Sequence, residues 1–211
     1  MAASLIGASA RGHVGWTGAA AGLALLLCAG RAVAEWPPSA EDDGVYGRFR
    51  GDTDISLKLG GMLHDDGVAG SVGGSMHYYS LLGVTADYSE SLMADASDAR
   101  SFSVGLELRP LFLPRWALGL ERGPAWLDLT VDSLAAGFGA YFSDAEVDVR
   151  GTRGMWVSLG AGVPLLGSAA GPWLEVRGLR RFPDQATTRD AHNALFVYLS
   201  WHHILQLGPG E

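Results

Sequence analysis

The sequence holds one cysteine, Cys28, and one lysine, Lys58. Cys28 falls in an N-terminal stretch expected to be removed on export. The remaining chain then has neither a disulfide nor a thiolate metal site, although export would place it in an oxidising compartment. Leu27, just before Cys28, is too large for a lipoprotein signal. The basic side is thin throughout: Lys and Arg together number 15 against 23 Asp and Glu, which argues against binding nucleic acid through its phosphates. Long apolar runs are missing as well. The longest, residues 19–29, is closed by Arg31 and falls short of the roughly 20 residues that a membrane-crossing helix needs. No glycine-rich loop leads into a helix start, so no phosphate cradle is expected.

That short run has another use. Arg11 precedes it and Ala32-Val33-Ala34 follows as an A-x-A cleavage site, the layout of a secretory signal. Residues 1–34 are therefore expected to leave as a signal peptide, with the mature chain starting at Glu35. Loss of Arg11 and Arg31 moves the net charge from −8 to −10. Next come a polar acidic lead at 35–53, a patterned region at 54–207 and a short tail at 208–211.

The patterned region alternates with period 2, the signature of strands. In residues 101–109, Phe102, Val104, Leu106 and Leu108 lie on one face, and Ser103, Gly105, Glu107 and Arg109 on the other. A helix cannot sort residues that way. The same order recurs around Leu57, Val72, Val84, Val157, Val176 and Val197. Between 126 and 142 two readings compete. Leu127, Val131, Leu134 and Phe138 have helical spacing, but Gly137 and Gly139 each weaken a helix by about 1 kcal/mol. A short helix or irregular turn followed by a strand over 133–142 fits better and brings the strand count to eight.

The joins suggest a meander. His64-Asp65-Asp66-Gly67 has hairpin composition, and the chain must turn tightly near Ser80. Segments 89–100, 143–154 and 181–193 are longer, polar and rich in aspartate. All three would share one end of the meander with the Asp65-Asp66 turn, following the long-loops-outside habit of outer-membrane barrels. Segment 110–125 is too apolar for an ordinary turn. It is expected at the membrane boundary, with Arg115 and Arg122 reaching lipid headgroups.

The second face of each strand separates a membrane barrel from a soluble one. Strand positions facing water are normally rich in charge, whereas here they are mostly Gly, Ser, Thr and Ala with one or two ionisable groups per strand, as suits a narrow lumen. The apolar faces carry almost no charge, as expected against lipid. With its signal, about eight alternating segments and an aromatic-rich final strand, the chain resembles the small bacterial outer-membrane β-barrels of the OmpA and OmpX type over residues 54–203. The resemblance implies an all-β, eight-stranded antiparallel up-and-down transmembrane barrel in the outer membrane. Such barrels usually finish on an aromatic residue, whereas this chain continues past Trp201 to Leu207 and beyond.

Lys58, Asp87, Glu107, Arg109, Glu175 and Arg177 fall on the inferred lumen face, where buried charges must be paired. They are expected to plug the interior as a structural charge cluster. Ser75 with His77, and Ser200 with His202, share strand faces, yet no spacing ties either pair to an acid, so no catalytic residue is assigned. His202 and His203 point to opposite faces and do not share a metal. Asp144, Glu146 and Asp148, with Asp95, Asp98, Asp184 and Asp190, make the outer loops acidic without defining a metal site. No cofactor is expected. The partners expected are membrane lipids and the outer-membrane insertion machinery, and the expected role is structural or surface-interacting. Alternatives are a lipid-modifying outer-membrane enzyme, a soluble periplasmic ligand-binding barrel and a narrow ion pore. By this register Leu106→Arg should block insertion, and Gly105→Ser, facing the lumen, should be tolerated better.

Overall fold

A computed structural model describes residues 46–48, 51–64, 67–92, 100–121, 123–144, 152–184 and 192–207. The expected signal at 1–34, most of the lead, the tail at 208–211 and the charged residues Asp65, Asp66, Asp95, Asp98, Arg122, Glu146, Asp148 and Asp190 lie outside them.

The strands are β1 (Thr53–His64), β2 (Gly67–Tyr78), β3 (Leu82–Ser91), β4 (Arg100–Leu108), β5 (Ala135–Asp144), β6 (Thr152–Pro164), β7 (Gly171–Pro183) and β8 (His192–Leu205). Each pairs antiparallel with its neighbour in sequence, and β8 returns to β1, closing an eight-stranded up-and-down barrel. Closure removes the exposed edges that an open sheet would leave. The eight strands foreseen from alternation are all present, and β5 runs to Asp144 after a helix, as the glycines in its sequence required.

Side-chain exposure alternates along every strand. Leu57, Val72, Phe102, Leu106, Phe138, Val157 and Leu199 stand on the outside, while Ser56, Lys58, Ser71, Thr85, Asp87 and Glu107 are buried inside. Charged residues that do point outward from the strands, among them Glu90, Arg100, Asp144, Arg153 and Arg180, gather toward one end of the barrel. We call this the loop end. Glu90 pairs with Arg100 there at 3.3 Å.

Within the loop half of the lumen, Met62, Ala69, Tyr141, Trp156, Leu179, Ala194, Phe196 and Tyr198 form an apolar core. Trp156 is wholly buried and donates its indole N–H to the Ala140 carbonyl at 3.0 Å. Its ring lies against Gly105 and Gly139: a Cβ at Gly105 would stand 2.4 Å from the ring and 2.3 Å from the Phe138 carbonyl oxygen. Gly105 faces the lumen as expected, and the space a side chain there would need is already occupied by the indole and by backbone.

The opposite, helical end carries the β2–β3 turn, the β6–β7 connection and the helical insert. Tyr79 and Ser80 both have positive φ, and Leu81 N–H donates to the Tyr78 carbonyl at 3.0 Å. With Tyr78 paired to Leu82, this is a three-residue connection that turns tightly through two left-handed residues. The apolar insert after β4 forms α1 (Phe112–Ala117) and α2 (Ala125–Asp132). Pro114 sits in the first turn of α1 and Pro124 caps α2 in extended conformation, the positions where proline costs least. The face that α2 buries is Ala125, Asp128, Leu129 and Asp132, an i, i+3, i+4, i+7 stripe. It differs from the Leu127, Val131, Leu134 and Phe138 stripe: Leu127 is exposed, and Phe138 lies on the outside of β5. Leu129 is fully buried with Ala169 and Trp173, and Tyr46 and Ile204 pack against that group.

Candidate functional site: the lumen charge network and its cap

Alternation brings charged residues or histidines from six of the eight strands, all but β5 and β6, to the inner wall, and closure sets them opposite residues far away in sequence. Lys58 Nζ on β1 meets Glu175 Oε2 on β7 at 2.7 Å. Arg177 Nη2 on β7 meets Asp87 Oδ2 on β3 at 2.5 Å. Arg109, just past β4, donates from Nη1 to Asp54 Oδ2 at 3.2 Å and lies with Nε 3.6 Å from Glu107 Oε1. All six residues expected in the lumen are there, and the structure joins them by contacts across the interior.

Three further residues, Asp54, His202 and His77, belong to the network, and Arg181 lies in the lumen beyond it. Asp54 receives both Arg109 and His202. His202 hydrogen-bonds through Nδ1 to Asp54 Oδ1 at 3.0 Å and through Nε2 to Glu175 Oε1 at 2.8 Å. Both ring nitrogens thus face acceptor-only carboxylates, an arrangement that calls for the doubly protonated, cationic ring. His77 Nε2 lies 3.0 Å from Glu107 Oε1. Arg181 donates to Ser101 Oγ at 2.9 Å. Asp54 and Arg181 each occupy the inward parity of their strands, a signal that could have marked them.

The serine and histidine pairs do acquire acids, but in a non-catalytic pattern. Ser75 Oγ is bonded to Ser56 Oγ at 2.7 Å while His77 turns to Glu107. Ser200 Oγ donates to Glu175 Oε1 at 2.6 Å, the same oxygen that His202 holds. In neither pair is the histidine set to take the serine proton, the geometry a nucleophilic serine requires. His202 is buried and His203 exposed, on opposite faces as expected.

Little space is left. The larger of two adjoining cavities, lined by Lys58, Glu107, Arg109, Glu175, Arg177 and Tyr198 among others, measures about 20 Å³. That is room for about one water molecule. The smaller, about 10 Å³, lies toward the helical end and is lined by Arg48, Asp54, Arg109, Asp132 and His202 among others.

A second ionic cluster closes that end. Arg48, stacked over the Phe112 ring at 4.3 Å, donates from Nη1 to Asp132 Oδ2 at 2.8 Å and to Glu121 Oε1 at 3.2 Å. Arg115 donates to Asp132 Oδ1 at 2.9 Å and pairs with Asp128. Tyr46 donates its hydroxyl to Asp128 Oδ2 at 2.8 Å, and burial with that contact raises its pKa. Arg115 therefore turns inward to the acids of α2, contrary to its expected reach toward headgroups. Two unpaired carboxylates on a buried helix face would otherwise cost several kcal/mol. Sequence reading missed this cluster because Tyr46 and Arg48 stand 73 to 84 positions before the acids they meet.

No family model matches the chain, and no curated protein matches it. Among solved structures, the N-terminal β-barrel domain of Pseudomonas aeruginosa OprF aligns with 72% of this chain and 98% of that one, at 9% identity and a TM-score of 0.45.

Proposed function

We propose that this protein is an integral outer-membrane β-barrel with a plugged lumen, serving a structural or surface-interaction role through the loops at its loop end. The observation that carries this reading is the inverted distribution of polarity. Charge is packed inside the barrel, and large apolar side chains such as Leu57, Leu59, Phe138, Met155, Leu199 and Trp201 cover the outside. Water would penalise such a surface, since soluble monomers rarely expose contiguous apolar patches beyond a few hundred Å². A bilayer favours it and demands a closed barrel, because every backbone polar group then finds a partner. Phe102 and Leu106, which a soluble ligand-binding barrel would turn into a cavity, point outward.

Orientation follows the same logic. The charged outward residues at the loop end suit the headgroup region on the cell surface, and the helical end then faces the periplasm. Trp116, Leu118 and Leu120 stay exposed on the insert and supply its membrane-boundary contact. The chemistry at the cell surface belongs to the acidic loops, since loops on a rigid scaffold are where binding usually resides.

Fractionation tests the location: the protein should be recovered with outer membranes and run on a detergent gel at different mobilities before and after boiling. Recovery as a soluble periplasmic protein would overturn the proposal.

A further inference from the structure

Behind the barrel mouth, three acids meet two guanidinium groups. Asp132 uses both oxygens on Arg48 and Arg115. Asp128 takes Arg115 on one oxygen, and Tyr46 and the Gly123 N–H on the other. Glu121, whose side chain is 3% exposed, gives Oε1 to Arg48. Its Oε2 is buried and receives no donor among the described residues, and its Oε1 shares Arg48 Nη1 with Asp132 Oδ2, at 3.2 and 2.8 Å. Two ionised carboxylates are both acceptors, so a pair held on one guanidinium nitrogen can hydrogen-bond to each other only when a proton sits on one of them. With all three acids ionised, the described groups of the cluster carry one surplus negative charge. One proton makes them neutral.

We propose that the helical insert and the 46–48 segment form a proton-held latch over the barrel mouth, with the proton carried by Glu121 and shared toward Asp132. With the proton in place the insert is fastened to Arg48 and the mouth is shut. When it leaves, like-charge repulsion between Glu121 and Asp132 loosens the insert and opens the small cavity lined by Arg48, Asp54, Arg109, Asp132 and His202 to solvent. Among the described residues, the groups facing Glu121 are Tyr46 and Arg48 from the N-terminal segment, Arg115 from α1, and Asp128 and Asp132 from α2. Arg109, Asp54 and His202 face the cluster from the barrel wall.

The pH window follows from the direction of the shift. Burial, then the Asp132 contact, push Glu121 from an ordinary 4.5 up to about 7, with Arg48 opposing. A group raised in the closed state contributes its full fastening below its ordinary value and loses it as pH rises through the raised one. Opening should therefore increase about tenfold per pH unit across that interval and level off above it.

The test is hydrogen exchange of peptides covering 112–132 in the folded, micelle-bound protein between pH 5 and pH 8, with rates divided by those of unstructured peptide. Exchange of the insert should rise by up to about a hundredfold relative to the strands. Glu121→Gln, which keeps a donor toward Asp132 without charge, should stay closed at every pH, and Glu121→Asp should retain a pH dependence. A flat wild-type profile, or one unchanged by Glu121→Gln, overturns the latch. Should Glu121→Gln not fold, carboxyl-carbon NMR titration of the wild type decides, and a Glu121 midpoint at its ordinary value rejects it. None of these readings depends on which membrane the barrel occupies, so failure here leaves the location untouched.

Discussion

Arg177 and Asp87 lie 90 positions apart and meet across the lumen with Nη2 2.5 Å from Oδ2. The other Asp87 oxygen accepts the Tyr198 hydroxyl at 2.9 Å, and the Arg177 guanidinium sits 5.0 Å from the Phe196 ring centroid. Cation, acid and aromatic rings therefore form one unit in the middle of the barrel. Asp87→Ala should cost about 3–5 kcal/mol by leaving a buried guanidinium without its counter-charge. The double variant Asp87→Leu with Arg177→Met should lose clearly less than the sum of the single losses. Urea unfolding in micelles measures both, and strict additivity would show the pair to be uncoupled.

Neighbouring positions on β4 should fail for different reasons. Leu106→Arg puts a cation on the outer surface and should cost about 2–4 kcal/mol in a bilayer if the residue lies near the midplane. It should cost much less in micelles, where the arginine reaches water. Gly105→Ser should destabilise equally in both settings, because Trp156 and the Phe138 carbonyl occupy the space. Trp156→Leu should not rescue it, since the backbone clash remains. Folding yields in vesicles and in micelles separate the two, and equal ratios for Leu106→Arg would count against lipid contact there.

The turn between β2 and β3 stores backbone strain. Ser80 has φ of 52° without being glycine. Ser80→Gly should stabilise the barrel by about 1 kcal/mol, the cost of left-handed backbone for a residue with a Cβ. Thermal unfolding is the measure, and a lower midpoint would mean that the serine side chain contributes more than the strain removes.

The lumen should not conduct. In planar bilayers at neutral pH the wild type should give no stable conductance steps, since its larger cavity holds about 20 Å³. A triple change of Trp156, Arg177 and Tyr198 to alanine should open a water path if the variant folds. Well-resolved steps from the wild type would transfer Lys58, Glu107, Arg109, Glu175 and Arg177 from plugging to pore lining.

The insert should touch lipid on the periplasmic side. With the other tryptophans replaced by phenylalanine, Trp116 fluorescence should be quenched by brominated lipids in oriented vesicles. Full quenching by an aqueous agent with none by lipid would place that face in water.

What could be read in advance depended on the range of the interaction behind it. Alternation at Phe102, Val104, Leu106 and Leu108 is a local matter, because side chains of an extended chain must point to opposite faces. It foretold every strand and placed Lys58, Asp87, Glu107, Arg109, Glu175 and Arg177 inside before any contact was known. The helix at Ala125–Asp132 was foreshadowed less sharply. Its periodic apolar residues suggested one buried face, but Asp128 and Asp132 are what that face buries, and their cations come from α1 and the N-terminal segment.

The sequence by itself determined the barrel: strand number, inward parity and the separation of a charged inside from an apolar outside all follow from a period of 2 in the placing of charged and apolar residues. Tertiary structure alone decided which charge meets which. Closure of β8 onto β1 brings His202 to Asp54, and the narrow interior sets Arg177 against Asp87 and Trp156 against Gly105. It also turned an apolar connection into a cap fastened by buried ions. Pairing of this kind is set by distances across a closed lumen, which have no counterpart in distance along the chain.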